Sequence, residues 1–194
     1  MPHYQVRLNQ PQAHIFDVEL TLSQPKQPQI LSLPAWIPGS YMIREFSKNI
    51  VELSATDDSG ACAITKQDKH TWSVQTHNGP LRIRYTVYAW DLSVRMAHFD
   101  QTHAYFNGTS LFLKAHGFET AAHRVTLHPP TDPQCQNWRV ATTLQPQHED
   151  PTQFGTFCAL DYDDLIDKRR ILKQAQKYLK NRDDELKKRF EGRK

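Results

Sequence analysis

The 194-residue chain is the size of one ordinary domain with a short appendage. Hydrophobic residues make up 38% of it, which is enough to bury a core and excludes a chain that is disordered throughout. No stretch approaches the roughly 20 apolar residues of a membrane helix, so no membrane partner is expected. Residues 1–167 hold 12 Lys/Arg and 17 Asp/Glu (net −5), whereas residues 168–194 hold 12 and 4 (net +8). The acidic body disfavours nucleic-acid binding.

Alternation of apolar and polar residues dominates the first 145 positions and predicts strands with one face in a core. Four runs show it most clearly, beginning at Phe16, Val51, Leu81 and Val125. The side chains expected on the buried faces are Phe16, Val18, Leu20, Leu22, Val51, Leu53, Ala55, Leu81, Ile83, Tyr85, Val87, Ala89, Val125 and Leu127.

Turn sequences separate these runs. Asp57-Asp58-Ser59-Gly60 predicts a hairpin between 50–56 and 61–66, and His77-Asn78-Gly79-Pro80 predicts a second hairpin between 70–76 and 81–90. Pro129, Pro130 and Pro133 mark a surface loop before a strand expected around Trp138-Arg139-Val140. Short strands without helical patterns between them favour an all-β fold, an antiparallel β-sandwich-like domain.

The last 27 residues differ in character. Residues 168–190 contain no Gly or Pro, and their apolar residues fall mostly at helical spacing. This pattern predicts a C-terminal amphipathic α-helix with a narrow apolar stripe. The predicted domains are therefore a β-sandwich over 1–167 and a basic helical tail over 168–194.

The cysteines and the N-terminus indicate a cytoplasmic location. Cys62, Cys135 and Cys158 are odd in number and far apart, which favours reduced thiols. The N-terminus shows no basic segment followed by an apolar run, so no signal peptide is visible.

Motifs for catalysis are missing or incomplete. A zinc-peptidase helix reads H-E-x-x-H, and the nearest approach, His148-Glu149-Asp150-Pro151-Thr152, fails at its fifth position and contains a helix-breaking proline. No G-x-S-x-G elbow, P-loop or dinucleotide fingerprint occurs. His98, Asp100 and His103 could supply two imidazoles and a carboxylate to a metal, but a polar loop between strands is favoured.

The least generic stretch is LPAWIPGSYMIREF, residues 33–46. Pro38-Gly39 forces a bend, and two interpretations of the aromatic residues stay open. In one, Trp36 is largely buried, Tyr41 packs on the core and Arg44 is paired or hydrogen-bonded. In the other, the segment is a rigid wall that faces a partner domain or a substrate cleft.

LPAWIPGSYMIREFSKNI resembles the hallmark near the start of glycyl aminopeptidase-family zinc metallopeptidases. The motifs that support the resemblance follow in the same order: HIFDV (14–18), YTVYA (85–89), SVR (93–95), YFNGTSLFL (105–113) and DYDDLID (161–167). The signature positions, structural or cleft-facing, are Trp36, Pro38, Gly39, Ser40, Tyr41, Arg44, Arg95, Asn107 and Gly108.

The resemblance implies a β-rich N-terminal domain of a metallopeptidase. In full-length relatives a thermolysin-like zinc domain and a PDZ-like domain follow, and the activity is removal of N-terminal residues, often glycine or alanine. The domain would brace the catalytic metallopeptidase domain, its expected partner, and shape the substrate cleft.

After Asp167 the chain departs from the family and reads KRRILK. The zinc ligands and the general-base Glu then have no counterparts, so no catalytic residue, metal or cofactor is expected in this chain, although relatives carry zinc. Truncation, a frameshift or an engineered helix would each explain the tail. Self-association of the chain through the predicted C-terminal helix is a further expectation. The alternative function is a stand-alone β-sandwich interaction module with a basic helical tail.

Overall fold

The structure is a computed structural model that describes residues 1–37 and 41–166. The predicted helix over 168–194 therefore lies outside the described residues. Within the described ranges the chain forms strands β1 (His3–Gln10), β2 (Ile15–Leu22), β3 (Gln29–Ser32), β4 (Ile50–Asp57), β5 (Gly60–Ala61), β6 (Ile64–Lys66), β7 (Thr71–Val74), β8 (Leu81–Tyr88), β9 (Ala97–Phe99), β10 (Ala104–Phe106), β11 (Lys114–Ala115), β12 (His123–Leu127), β13 (Gln145–Pro146) and β14 (Gly155–Ala159). It also forms helices α1 (Gly108–Leu111) and α2 (Tyr162–Ile166), and 3₁₀ turns at Phe46–Asn49 and Pro133–Cys135. None of the described helices has the length and apolar content needed to cross a bilayer.

The strands form a large sheet, a smaller sheet and a hairpin. The large sheet has the order β13-β14-β12-β1-β2-β8-β4-β5, the smaller one the order β11-β3-β7-β6, and β9 pairs with β10. The predicted β-rich fold is confirmed. The large sheet is mixed rather than antiparallel, because β1 and β12 run parallel with His3 opposite Arg124. More than a hundred residues separate these strands, which is ample for the crossover that a parallel pair requires.

Both sheets contribute to one core. Phe16 and Val18 of β2, like Leu31 of β3 and Val74 of β7, are almost completely buried in a single hydrophobic cluster. The predicted inward faces of β2 and β8 are confirmed, since all nine of their apolar residues, Ala89 included, are buried.

Three buried tyrosines fix the segment that follows α1. Tyr4, Tyr85 and Tyr162 donate hydrogen bonds from their hydroxyls to the carbonyls of Leu113, Leu111 and Phe112 at 2.7, 2.8 and 2.8 Å. A buried carbonyl without a partner would cost about 1–3 kcal/mol, so these bonds let an irregular segment cross the core. The position of α1 is thereby set from three separate elements.

Three expectations from the sequence were wrong in detail. The turn at 57–60 joins β4 to β5 as predicted, but the next strand, β6, belongs to the smaller sheet. The turn at 77–80 does not close a hairpin, because β7 pairs with β3 whereas β8 pairs with β2 and β4. Residues 138–140 form no strand; Trp138 instead packs edge-on against Phe99.

A bulge corrects the prediction for Val51. Ile50 lies opposite Val87 and Glu52 lies opposite Thr86, so β4 carries one extra residue at this point. The extra residue is Val51, which is 60% exposed. The bulge also explains why Ile50 and Leu53, three residues apart, both pack against the core.

Candidate functional site

The signature loop, residues 33–46, has a buried base. Leu33, Ile37 and Phe46 are almost completely buried. The backbone N–H of Leu33 donates to the His70 carbonyl at 2.9 Å, and the N–H of Arg44 donates to the Ala35 carbonyl at 2.7 Å. The buried side chains and the bond to His70 hold the loop against the body, and the Arg44–Ala35 bond joins its two limbs. Pro38, Gly39 and Ser40, which complete the predicted bend, lie outside the described residues.

The tip of the signature loop is apolar and exposed. Trp36 is 51% exposed, Met42 64% and Ile43 73%, and Tyr41 is fully exposed. The expectation that Trp36 is buried was therefore wrong. Successive residues of extended chain point to opposite sides, and Ile37 takes the position in the core, so Trp36 faces outward.

A second exposed apolar strip begins at the end of β8 and runs into the loop that follows. Tyr88, Trp90, Leu92 and Val94 are each 43–70% exposed. Hydrogen bonds fix this loop: Tyr105 Oη donates to the Asp91 carbonyl at 2.9 Å, and the neighbouring Asn107 amide donates to the Val94 carbonyl at 3.0 Å. The sequence carried a signal for this strip that was missed, since four large apolar residues alternate past the end of the strand.

The signature residues Arg95, Asn107 and Gly108 lie beside this loop. Nε of Arg95, Oδ1 of Asn107 and Oγ1 of Thr109 are buried polar atoms that have no hydrogen-bond partner among residues 1–37 and 41–166. A Cβ on Gly108 would lie 2.7 Å from the Leu165 carbonyl oxygen, so glycine is needed for α1 to pack against α2.

Helix α1 contacts both α2 and the turn Phe46–Asn49, which lies at the base of the signature loop. The structure thus brings Asn107 and Gly108 towards the loop that carries Arg44. This proximity could not be predicted from the sequence, where the two motifs are far apart.

A polar cluster closes the β9–β10 hairpin. Nε2 of His98 lies 3.1 Å from Oδ2 of Asp100, and Nδ1 of His103 lies 3.6 Å from Oδ1 of Asp100. One ligand-capable atom of each residue lies within 4.8 Å of the others. Partial burial raises the pKa of Asp100, but hydrogen bonds from Thr102 and His103 outweigh it and leave that pKa well below its ordinary value.

The segment closest to a zinc-peptidase motif is a loop, as predicted. His148 donates one hydrogen bond from Nε2–H to the Gln153 carbonyl, and Asp150 accepts the Thr152 N–H. No helix forms at these positions. Residues 148–152 therefore do not form the two-histidine helical face on which a catalytic zinc of this kind is held.

Comparisons with known proteins agree with this geometry. Residues 3–168 match the model of the Peptidase M61 N-terminal domain. The fold is similar to that of an aminopeptidase N family protein from Idiomarina loihiensis, with a TM-score of 0.82, 39% identity and coverage of 86% of this chain. A mutant M1 zinc metallopeptidase from Deinococcus radiodurans has a TM-score of 0.44 and 12% identity, over 81% of this chain and 38% of that one. No curated protein matches the sequence.

These findings define a β-rich N-terminal domain of a peptidase. The chain belongs to the Peptidase M61 N-terminal domain family. It spans 28% of the length of the Idiomarina protein.

Proposed function

We propose that this chain is the non-catalytic N-terminal domain of a glycyl aminopeptidase-type zinc metallopeptidase. In the full-length protein it braces the catalytic domain and shapes one side of the substrate cleft. The observation that carries the proposal is the exposed apolar tip of the signature loop. Family membership and the greater length of the Idiomarina protein support it.

The tip has the character of a docking surface. Single exposed apolar residues are ordinary on a protein surface, whereas several together mark an interaction site. Trp36, Tyr41, Met42 and Ile43 fall within eight residues, and burying each such side chain against a partner would stabilise the contact by about 1.5–3 kcal/mol. An anchored base lowers the conformational entropy that docking of the loop would cost.

The catalytic chemistry would come from the partner domain. A zinc ion held by three protein ligands polarises a water for attack on a peptide carbonyl. The present chain would position one wall of the substrate cleft and would not supply a zinc ligand. Its three cysteines form no disulfide, which supports the proposed cytoplasmic location.

A chimera tests the proposal. Residues 1–166 would replace the matching N-terminal segment of the Idiomarina protein, and hydrolysis of chromogenic glycyl and alanyl substrates would be measured. We expect an active chimera. Ile43→Thr should reduce kcat/KM at least about tenfold, since a misplaced cleft wall disturbs the geometry of the bound substrate.

Val51→Thr is the matched control, because Val51 is also β-branched and exposed but lies on the bulge of β4. It should leave activity unchanged. Equal activity of the two variants in a folded chimera would refute docking through the loop. Capture of an unrelated partner protein by the isolated chain, abolished by Ile43→Thr, would instead support the stand-alone interaction module.

A further inference from the structure

His123, the first residue of β12, is completely enclosed by the fold. The residue is 0% exposed, and its Nδ1 lies 2.7 Å from the Ala121 carbonyl oxygen. Because a carbonyl only accepts hydrogen bonds, Nδ1 carries the proton of the neutral ring and donates it to Ala121. Nε2 is then an acceptor, and it has no hydrogen-bond partner within the described parts of the chain.

Two tyrosine rings flank this imidazole, and they come from elements that are held with unequal strength. The ring centroids of Tyr4 in β1 and Tyr162 in α2 lie 5.9 and 5.8 Å from that of the imidazole. Strand β1 is paired on both sides inside the large sheet, whereas α2 has only five residues. Besides its hydroxyl bond, Tyr162 donates its N–H to the Glu119 carbonyl at 2.9 Å, and Leu165 is buried. A path from the imidazole to solvent therefore opens more readily on the side of α2.

We propose that His123 is a pH-dependent switch for α2, in which protonation of Nε2 releases this helix from the body of the domain. A protonated Nε2 would place a positive charge and an N–H donor at a position where the described residues offer no acceptor. Water can solvate that charge only if the ring becomes accessible, which requires α2 to move. Because α2 is the last of the described elements, its release loosens the point at which the chain leaves the domain.

Charged groups approach His123 from each element that packs around it. They are the N-terminal amine before β1, Asp161 directly before α2 and Glu119 in the loop before β12. Burial is the largest effect and lowers the pKa of His123 below its ordinary value of 6.5; the amine adds to this effect, whereas the backbone bond of Nδ1 and the two carboxylates oppose it. The Lys114 ammonium lies 5.5 Å from the centroid of the Tyr162 ring and adds a second cation near α2.

The docked helix favours the neutral ring, because docking lowers the pKa of His123. Docking of α2 is therefore fully supported above about pH 6.5, the ordinary value, and weakens as the pH falls towards the lowered pKa. Release takes up one proton, so the equilibrium between docked and released helix shifts by up to about tenfold per pH unit in this range.

Hydrogen exchange of the purified 194-residue chain, followed by mass spectrometry, measures this release locally. Exchange is compared at about pH 7.5 and about pH 5.5, with correction for the intrinsic exchange rate. Peptides that cover α2 should lose protection by about three- to tenfold at the lower pH, whereas peptides that cover β2 should keep theirs. Both conditions lie above the region near pH 4 in which carboxyl groups ordinarily titrate.

His123→Asn is the deciding variant, because an amide can still donate to the Ala121 carbonyl but does not titrate. Its α2 peptides should show the same protection at both pH values. His128→Asn is the matched control: His128 is also partly buried and also has a lowered pKa, but its ring is bonded to Gln5 of β1. This control should keep the response of the wild type.

Tyr162→Phe separates the switch from the strength of docking. It keeps the ring beside His123 but removes the hydroxyl bond to Phe112, so it should reduce protection of α2 at both pH values and leave the pH dependence in place. Thermal unfolding at pH 7.5 verifies that each variant folds. An equal pH response of wild type and folded His123→Asn would overturn the proposal. So would an equal loss of protection in the α2 and β2 peptides of the wild type, a comparison that decides even if His123→Asn does not fold.

Discussion

Two tryptophans of the chain occupy opposite environments. Trp72 of β7 is 6% exposed, with the Lys66 ammonium 5.6 Å from its ring centroid, whereas Trp36 is 51% exposed. We expect Trp72→Ala to lower the free energy of unfolding by about 3–5 kcal/mol, as truncation of buried aromatics does. Trp36→Ala should cost about 1 kcal/mol or less. Urea denaturation of both variants measures the difference, and equal losses would show that Trp36 belongs to the core in solution.

Residue patterns predicted burial well only where a strand has one regular inner face. Alternation identified the inward residues of β2 and β8, because pleating forces every second side chain into the core. It failed at Val51, because the extra residue in the bulge reverses which face of the sheet the following side chains occupy. It also failed at Trp36. The hydrophobicity of a side chain indicates how much its burial would stabilise the protein, but it does not indicate which surface the side chain packs against.

The polar cluster of His98, Asp100 and His103 shows the same limit at the scale of a few residues. The sequence favoured a plain polar loop because ten histidines in one chain come close together by chance. What it lacked was the turn geometry that returns His103 to Asp100, and the burial of His98.

At the scale of elements, Asp57 joins two turns that belong to different connections. Its Oδ1 accepts the Ser59 N–H at 2.7 Å within the turn after β4. Its Oδ2 accepts the N–H groups of His77 and Asn78 at 2.7 and 3.1 Å, in the crossing from β7 to β8. The backbone bond from His77 is the main cause that lowers the pKa of Asp57 to about 2.

This bonding predicts a specific acid sensitivity. Because the folded chain lowers the pKa, ionised Asp57 contributes stability that is fully present above its unfolded value near 3.8 and is lost as the pH falls through about 2. The thermal midpoint of the wild type should therefore fall more steeply between pH 4 and pH 2 than that of Asp57→Asn. Asp17→Asn, on the outer face of β2, is the control. Parallel pH profiles for wild type and Asp57→Asn would contradict the role of the carboxylate.

The sequence predicted the order of the strands along the chain better than it predicted which strands pair. The turn signal at 57–60 correctly marked the β4–β5 hairpin, whereas the signal at 77–80 marked only the connection from β7 to β8. A turn signal does not specify which sheet receives the next strand. Strand direction was equally hidden, so the parallel pair β1–β12 was missed. The hydroxyls of Tyr4, Tyr85 and Tyr162 could not be assigned to the carbonyls of residues 111–113, because those contacts bridge parts of the chain far apart in sequence.

At the scale of the whole molecule, the exposed apolar residues are concentrated in loops outside the regular strands. The signature loop and the strip Tyr88–Val94 both project from bases that hydrogen bonds and buried side chains hold in place. Their exposure could not be predicted from the sequence alone, because an apolar side chain looks the same in a sequence whether it lies in the core or on the surface. The resemblance singled out the signature loop, and the structure shows that Trp36, Tyr41 and Ile43 of this loop are exposed.

The acidic body and the basic tail should behave as separate units. Residues 168–194 lie outside the described residues; the sequence predicts for them a helix whose apolar stripe is narrow and interrupted by Arg182, which would bury little surface. A helix of this length is marginal alone and would gain only weak, salt-screened attraction to a body of net charge −5. Deleting residues 168–194 should therefore leave one cooperative unfolding transition, with a midpoint shifted by only a few degrees in calorimetry. Loss of that transition would show that the tail completes the core, and the domain boundary near Asp167 would then be wrong.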